Sequence, residues 1–165
     1  MLSSITFPLS VITATLIGLA TGSLFAFSSF VMGALSRLPG PQAISAMQSI
    51  NIVVINPVFM GVLFGAGVLS AVLMVTVWPD LGRPHATLTL LASLLYIVGV
   101  IGVTIVCNVP LNDGLAAAIP AIADADAVWA AYCRGWQLWN HIRSAAGTLS
   151  LVLLILGIAS LRAPA

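Results

Sequence analysis

Apolar residues fall in four long stretches along this chain, at residues 7–35, 57–78, 86–107 and 144–161. Crossing the hydrocarbon core of a bilayer takes about 20 predominantly apolar residues in helical form. Strands of a membrane β-barrel would alternate apolar and polar positions over about ten residues, and these stretches do not alternate. Backbone groups left unpaired in lipid are costly, so uninterrupted apolar runs predict helices that satisfy themselves internally. The pattern predicts an all-α protein, a four-transmembrane-helix bundle forming a single membrane domain over residues 1–165.

The segments between the runs differ in character. PDLGRPH, residues 79–85, is a tight Pro/Gly turn between the second and third spans. The first connection, SRLPGPQAISAMQSINIVVIN (36–56), has Pro41 where a helix first turn tolerates it. It predicts a helix over 43–56 that runs on into a kinked second helix, bent at Pro57. The last connection, 108–143, ends in a pattern that predicts a helix over 125–143, N-capped by Asp124 or Asp126 and extending the fourth helix beyond the bilayer. Asn108, shortly before Pro110, is expected to close the third helix.

With four spans, connections 36–56 and 108–143 must lie on one side of the membrane, and nearly all polar side chains lie there. Gly18 with Gly22 and Gly61 with Gly65 have the four-residue spacing that lets membrane helices approach closely, and ordinary bundle packing explains them.

Composition narrows the class. Charged residues make up 5% of the 165 and hydrophobic ones 61%, with a mean hydropathy of +1.17; soluble domains carry about a quarter charged residues. The charges are five Arg and four Asp, with no Lys or Glu, for a net +1. Neither nucleic acid nor an acidic partner is implied. The N-terminal run lacks the Lys or Arg of a signal-peptide n-region and a small-residue cleavage site, and reads as a retained first span. Two cysteines are too few for a disulfide framework. Arg83 and Arg162 on one side and Arg37, Arg134 and Arg143 on the other leave orientation undecided by the positive-inside rule.

Candidate chemistry concentrates in WQLWNHIRSAAG (136–147). At about 100° per residue, Trp129, Tyr132, Cys133, Trp136, Asn140, Arg143 and Gly147 share one helical face. Such a face could line a flat pocket, or it could be an interfacial aromatic belt with a snorkelling arginine. Asn140 is less easily dismissed, since polar residues at membrane depth face protein or a cavity. His141 projects about 100° away from Asn140 and would reach a pocket only at a helix seam. At the end of span one, Phe25, Ser28, Ser29 and Met32 share a predicted face, with core packing as the plain alternative. Gln48 and Asn51 are helical neighbours that either face solvent or reach inward. No HExxH, CxxC, P-loop, GxGxxG or clustered metal-ligand motif is present.

Taken together, FAFSSFVMGALSRLP, AMQSIN, NPVFM, NVPLND and W-x-x-WNHIR resemble the anthrone oxygenase family, also called DUF1772, over most of the chain and in order. The resemblance implies a small four-helix membrane protein. Fungal members of the family oxidise an anthrone to an anthraquinone with O2, without metal or flavin, so no cofactor is expected. The matching positions are Asn51, Asn108, Trp136, Trp139, Asn140, His141 and Arg143.

An anthrone is a flat, weakly acidic ketone whose anion can pass an electron to O2. On this reading His141 is the base, and Asn140, Asn51 and Arg143 are oxyanion donors. Trp136, Trp139 and Phe25 would sandwich the rings, with Ser29, Gln48 and Asn108 completing the pocket. The partners expected are the lipid bilayer, a hydrophobic aromatic small molecule and O2. A homo-oligomer or a membrane-complex partner is also compatible with the pattern, and the alternative function is a non-enzymatic small subunit or binding protein of a larger membrane complex. A carrier would need polar groups along the spans, and mid-span positions are almost bare. Absence of Lys with abundant Ala suggests a GC-rich bacterial genome and hence the cytoplasmic membrane.

Overall fold

The computed structural model describes residues 2–119 and 123–161. The described residues form five helical rods. Helix α1 runs Leu2–Ala26, passes through a wide π turn at Phe27–Val31 and finishes with Met32–Leu35. Helix α2 is Gly40–Val53 and helix α3 is Pro57–Val77. Helix α4 begins at Pro84–Tyr96, continues through π turns at Ile97–Gly102 and Thr104–Asn108, and ends with Val109–Ala116. Helix α5, Ala125–Leu161, has 37 residues.

Four of these rods, Ile5–Leu35, Pro57–Asp80, Pro84–Ala116 and Ala125–Leu161, are long and apolar enough to cross a membrane. The protein is a multi-pass membrane protein. At 1.5 Å per residue, α5 is about 55 Å long against a hydrocarbon core of about 30 Å, so it projects well past the bilayer.

Local chemistry sets the boundaries. Asn56 caps α3: its extended backbone (φ −125°, ψ 156°) turns the chain, and its side-chain oxygen accepts from Val58 N at 3.1 Å and Phe59 N at 3.0 Å. Pro57 follows at the first helical position, where a missing N–H costs nothing. The bend expected at Pro57 is therefore a short non-helical break at 54–56 between two separate helices. On the far side, Gly82 takes φ +99° in the turn before Pro84, a conformation that favours glycine. There Asp80 holds Arg83 at 3.2 Å, with His85 at 3.7 Å.

The end of α4 departs from expectation. Asn108 does not cap a helix; it lies inside a π turn, and helix continues through Pro110 to Ala116. Pro110 is tolerated because it falls in the first turn after the π segment, where the ladder is already interrupted.

In the bundle α1 packs on α5 and α3, and α4 packs on α3 and α5, giving an up-down ring of antiparallel neighbours. Two cores result. One, within the spans, gathers Ile17, Ala20, Leu63, Leu73, Tyr96 and Leu154. Tyr96 is fully enclosed and donates its hydroxyl to Leu63 O at 3.1 Å, while Ser150 donates to Ala92 O at 2.7 Å. The second core, at the polar end, packs α2 residues Ile44 and Met47 against Trp129, Tyr132 and Trp136 of α5. Outward positions such as Leu19, Val58, Val75 and Ile155 are exposed and apolar. Helices apolar all round are what a lipid environment selects.

The close contacts use other glycines than the GxxxG spacing suggests. A Cβ at Gly22 or Gly61 would meet nothing within 4 Å, and at Gly18 or Gly65 only ordinary contacts at 3.7 Å. At Gly99 it would come 2.6 Å from the Ala146 side chain, and at Gly147 it would collide with Thr21. Helix approach therefore depends on Gly99 and Gly147.

Candidate functional site

The α5 face predicted from helical spacing is an inward face: Trp129, Tyr132, Cys133, Trp136, Asn140, Arg143 and Gly147 are all buried. At its centre Asn140, with no exposed surface, donates through Nδ2 to Leu24 O at 2.8 Å and to Ser28 Oγ at 2.7 Å. Its Oδ1 accepts from Arg143 Nη2 at 2.7 Å. The second guanidinium nitrogen, Nη1, donates to Thr104 Oγ1 at 3.1 Å, and Arg143 Cζ lies 5.4 Å from the centre of the Trp136 ring. Arg143 is 5% exposed. Ser28 also meets Ser144 at 3.1 Å.

The π turns explain how neighbouring helices reach this point. Leu24 and Ser28 bracket the start of the turn in α1, and Thr104 and Asn108 bound the second turn in α4. A π turn loosens the i→i−4 ladder and frees backbone and side-chain groups, and such turns are frequent at functional sites. Thr104 donates its own hydroxyl to Val100 O at 2.6 Å, leaving its lone pairs for Arg143. Asn108 is buried and donates to Trp136 O at 3.2 Å.

Above this layer lies the aromatic core. Trp129, Tyr132 and Trp136 follow one another with ring centres 5.7 and 6.4 Å apart, and Phe27 stands 5.6 Å from Trp136. The Tyr132 hydroxyl donates to Asn112 Oδ1 at 3.0 Å and lies beside Asn51. Several buried polar atoms have no hydrogen-bond partner: Arg143 Nε, Trp136 Nε1, Trp129 Nε1, Asn51 Nδ2 and Asn108 Oδ1. The other unpaired buried atoms among the described residues are hydroxyls within the spans, those of Ser10, Thr21, Ser70, Thr89 and Ser93. Buried polar atoms are paired in the great majority of cases, so the guanidinium, indole and amide groups left unpaired at the polar end need an explanation.

A groove of about 340 Å³ opens where α1, α2 and α3 meet, lined by Phe27, Ile50, Val54 and Phe59 among others. Pockets for small molecules run from about 300 Å³ upward. Phe27 and Ile50 also pack against the aromatic core. They form the wall between groove and Trp136.

Not every predicted site residue comes here. His141 is exposed on the outside of α5, away from the buried face. It follows Asn140 in sequence, but one helical step turns it outward. Phe25 is 61% exposed, and Ser29 is exposed and bonded to its own helix at Phe25 O, 2.8 Å. Met32, expected beside them, is fully buried. The extra residue of the π turn rotates the helix beyond it by about 100°, which splits that predicted face. Trp139 is half-buried beside the inward face and outside the aromatic core. Gln48 has a structural task, donating to Leu115 O at 2.8 Å and Ala118 O at 3.0 Å and so closing the C-terminus of α4. Asn51, Asn108, Trp136, Asn140 and Arg143 do converge.

Helical spacing alone does not select Thr104 or Phe27 for the site, whereas Ser28 lies on the face predicted at the end of the first span. Thr104 is visible as a polar interruption in VIGVTIVC, but without the π turn nothing indicates its direction. Both cysteines are free, Cys133 buried beside Ser36 Oγ at 3.5 Å. No group of three or more His, Cys, Asp or Glu gathers among the described residues.

The family model described as anthrone oxygenase matches residues 57–153, more than half of the chain. The chain belongs to the anthrone oxygenase family. The matched stretch carries α3, α4 and most of α5, and with them Thr104, Asn108, Trp136, Asn140 and Arg143. The α1 and α2 contributions, Ser28, Phe27 and Asn51, lie outside it. No curated protein and no solved structure matches the chain.

Proposed function

We propose that this anthrone oxygenase family member is a membrane oxygenase for a flat phenolic or polyketide-type aromatic, with its site at the Asn140–Arg143 layer. The observation that carries the reading is a buried guanidinium, fixed by Asn140 and Thr104 and lying over Trp136, with its own Nε and the Trp136 Nε1 unpaired. Preorganised donors in a water-poor site stabilise developing negative charge far better than donors in water. A hydrophobic aromatic would partition into the bilayer and approach through the groove lined by Phe27 and Phe59, and Phe27 must swing aside for Trp136 to serve as its stacking surface.

The reaction balances without a further reductant. One benzylic C–H bond is lost as a proton, the resulting anion passes an electron to O2, and the radical pair forms a C–O bond. Loss of water from the peroxide then leaves a ketone. One oxygen atom ends in the product and the other in water. The chain's own contribution is to stack the rings and hold the anionic oxygen. A composition without Lys and rich in Ala supports a bacterial cytoplasmic membrane as its address.

Oxygen uptake tests the reading. Detergent-purified protein is given a hydroxyanthrone with chelator present, and spontaneous autoxidation is subtracted. Uptake well above background that collapses in Asn140→Ala supports it. No uptake from folded protein removes the oxygenase reading and leaves a binding or complex-subunit role.

A further inference from the structure

Arg143 carries a charge that no group among the described residues balances. Its contacts, Asn140, Thr104 and the Trp136 ring, are all neutral. The sequence has four acidic residues, all Asp. Asp80 is on the other side of the membrane with Arg83 and His85. Asp113 and Asp124 are exposed, and Asp126 accepts from Gly40 N at 2.7 Å. Among the described residues no carboxylate pairs with Arg143. Taking an unpaired ion out of water is costly even after relaxation, and charged groups at membrane depth normally pair or line a cavity.

The neighbourhood is rich in donors. The guanidinium's own Nε is unmet, as is Trp136 Nε1 beside it, with Trp129 Nε1 further along the aromatic face and Asn51 beside the Tyr132 hydroxyl, against one unmet acceptor, Asn108 Oδ1. The ionisable groups on the buried face of α5 here are Tyr132 and Cys133, and on α4 the half-buried Cys107 precedes Asn108. The facing parts of α1 (Leu24, Phe27, Ser28) and α2 (Gln48, Asn51) present none. No imidazole or carboxylate stands here among the described residues, and His141 faces outward.

We infer that the site takes its aromatic ligand as the conjugate base, a phenolate or enolate whose anionic oxygen lies against Arg143, and that the proton goes to water rather than to a protein base. This rests on the proposed function only for the aromatic nature of the ligand. In the step, an O–H or activated C–H bond of the ligand breaks, its electron pair stays on the ligand, and the proton leaves to solvent. No electron is transferred and no co-reactant is consumed. The protein supplies a fixed positive charge that makes the ligand a stronger acid when bound.

The probe is 1,8-dihydroxyanthraquinone, which is already at the quinone level and whose phenolate absorbs at longer wavelength than its phenol. Its ionisation is titrated by visible spectrum with protein in micelles and, as reference, in empty micelles. An opposite charge within about 4–6 Å lowers an acid's pKa by about 1–3 units. The bound probe is therefore expected to ionise at least about one pH unit lower than the reference. Arg143→Gln should abolish the shift, Arg143→Lys should keep part of it, and Tyr132→Phe should leave it intact. A wild-type protein that leaves the probe unbound, or binds it with an unshifted or raised midpoint, overturns the inference, and this holds even if Arg143→Gln fails to fold. A lowered midpoint without oxygen uptake on a hydroxyanthrone keeps the anion site and removes the oxygenase reading. Uptake with an unshifted midpoint does the reverse.

Discussion

Asn140 satisfies three neighbours at once. It holds the Leu24 carbonyl, the Ser28 hydroxyl and the Arg143 guanidinium. Replacing it with alanine leaves a buried cation with one fewer acceptor and a buried carbonyl without its added donor. Such losses cost about 2–4 kcal/mol where the remaining partner stays charged and enclosed. Asn140→Ala is expected to lower the unfolding midpoint in detergent as well as any activity, whereas Ser29→Ala, at an exposed position, should change neither. Equal midpoints for the two variants would mean that the layer around Asn140 is not under the constraint its hydrogen bonds indicate.

Elements decide how far the sequence could be read. Helix α5 is regular from Ala125 to Leu161, so a constant 100° step locates its inward face correctly, from Trp129 to Gly147. Helices α1 and α4 contain π turns, and the same step fails across them. Phe25 and Met32, seven residues apart, are placed together by the periodicity and separated by the turn. The glycines show a second kind of limit. Spacing marks where a helix is thin, but the facing side chain decides whether the thinness is used. Gly99→Ala must displace Ala146 at 2.6 Å and is expected to destabilise by about 1–3 kcal/mol, the usual cost of overpacking. Gly61→Ala, with open space around its Cβ, should be neutral or slightly stabilising, since alanine is the better helix former. Thermal unfolding of the two variants side by side checks the contrast; equal behaviour would mean that α4 and α5 are not packed as described.

Across the bundle as a whole, four apolar runs dictate four spans, and chain alternation puts both long connections at one end. What the runs do not dictate is that this end has a core of its own. Helix α2 crosses it, tied by Gln48 to the end of α4 and by Asp126 to Gly40 at its own start. A Cβ at Gly40 would stand 2.7 Å from Ala125 backbone, so Gly40→Ala should lift α2 from α5. The expected result is faster proteolysis in the segment around α2, with the spans still protected; unchanged cleavage would mean that this contact does not hold α2 in place.

Where the site lies within the bundle can be decided by one comparison. Oxygen uptake on a hydroxyanthrone is measured for wild type, His141→Ala and Arg143→Gln, each shown to be folded. His141→Ala is expected to stay within about twofold of wild type, an exposed side chain being far from the chemistry, and Arg143→Gln to lose about a hundredfold or more, the scale of removing a preorganised oxyanion donor. Loss of uptake in His141→Ala with retention in Arg143→Gln would contradict a buried site at Asn140 and Arg143 and move the chemistry to the outer face of α5.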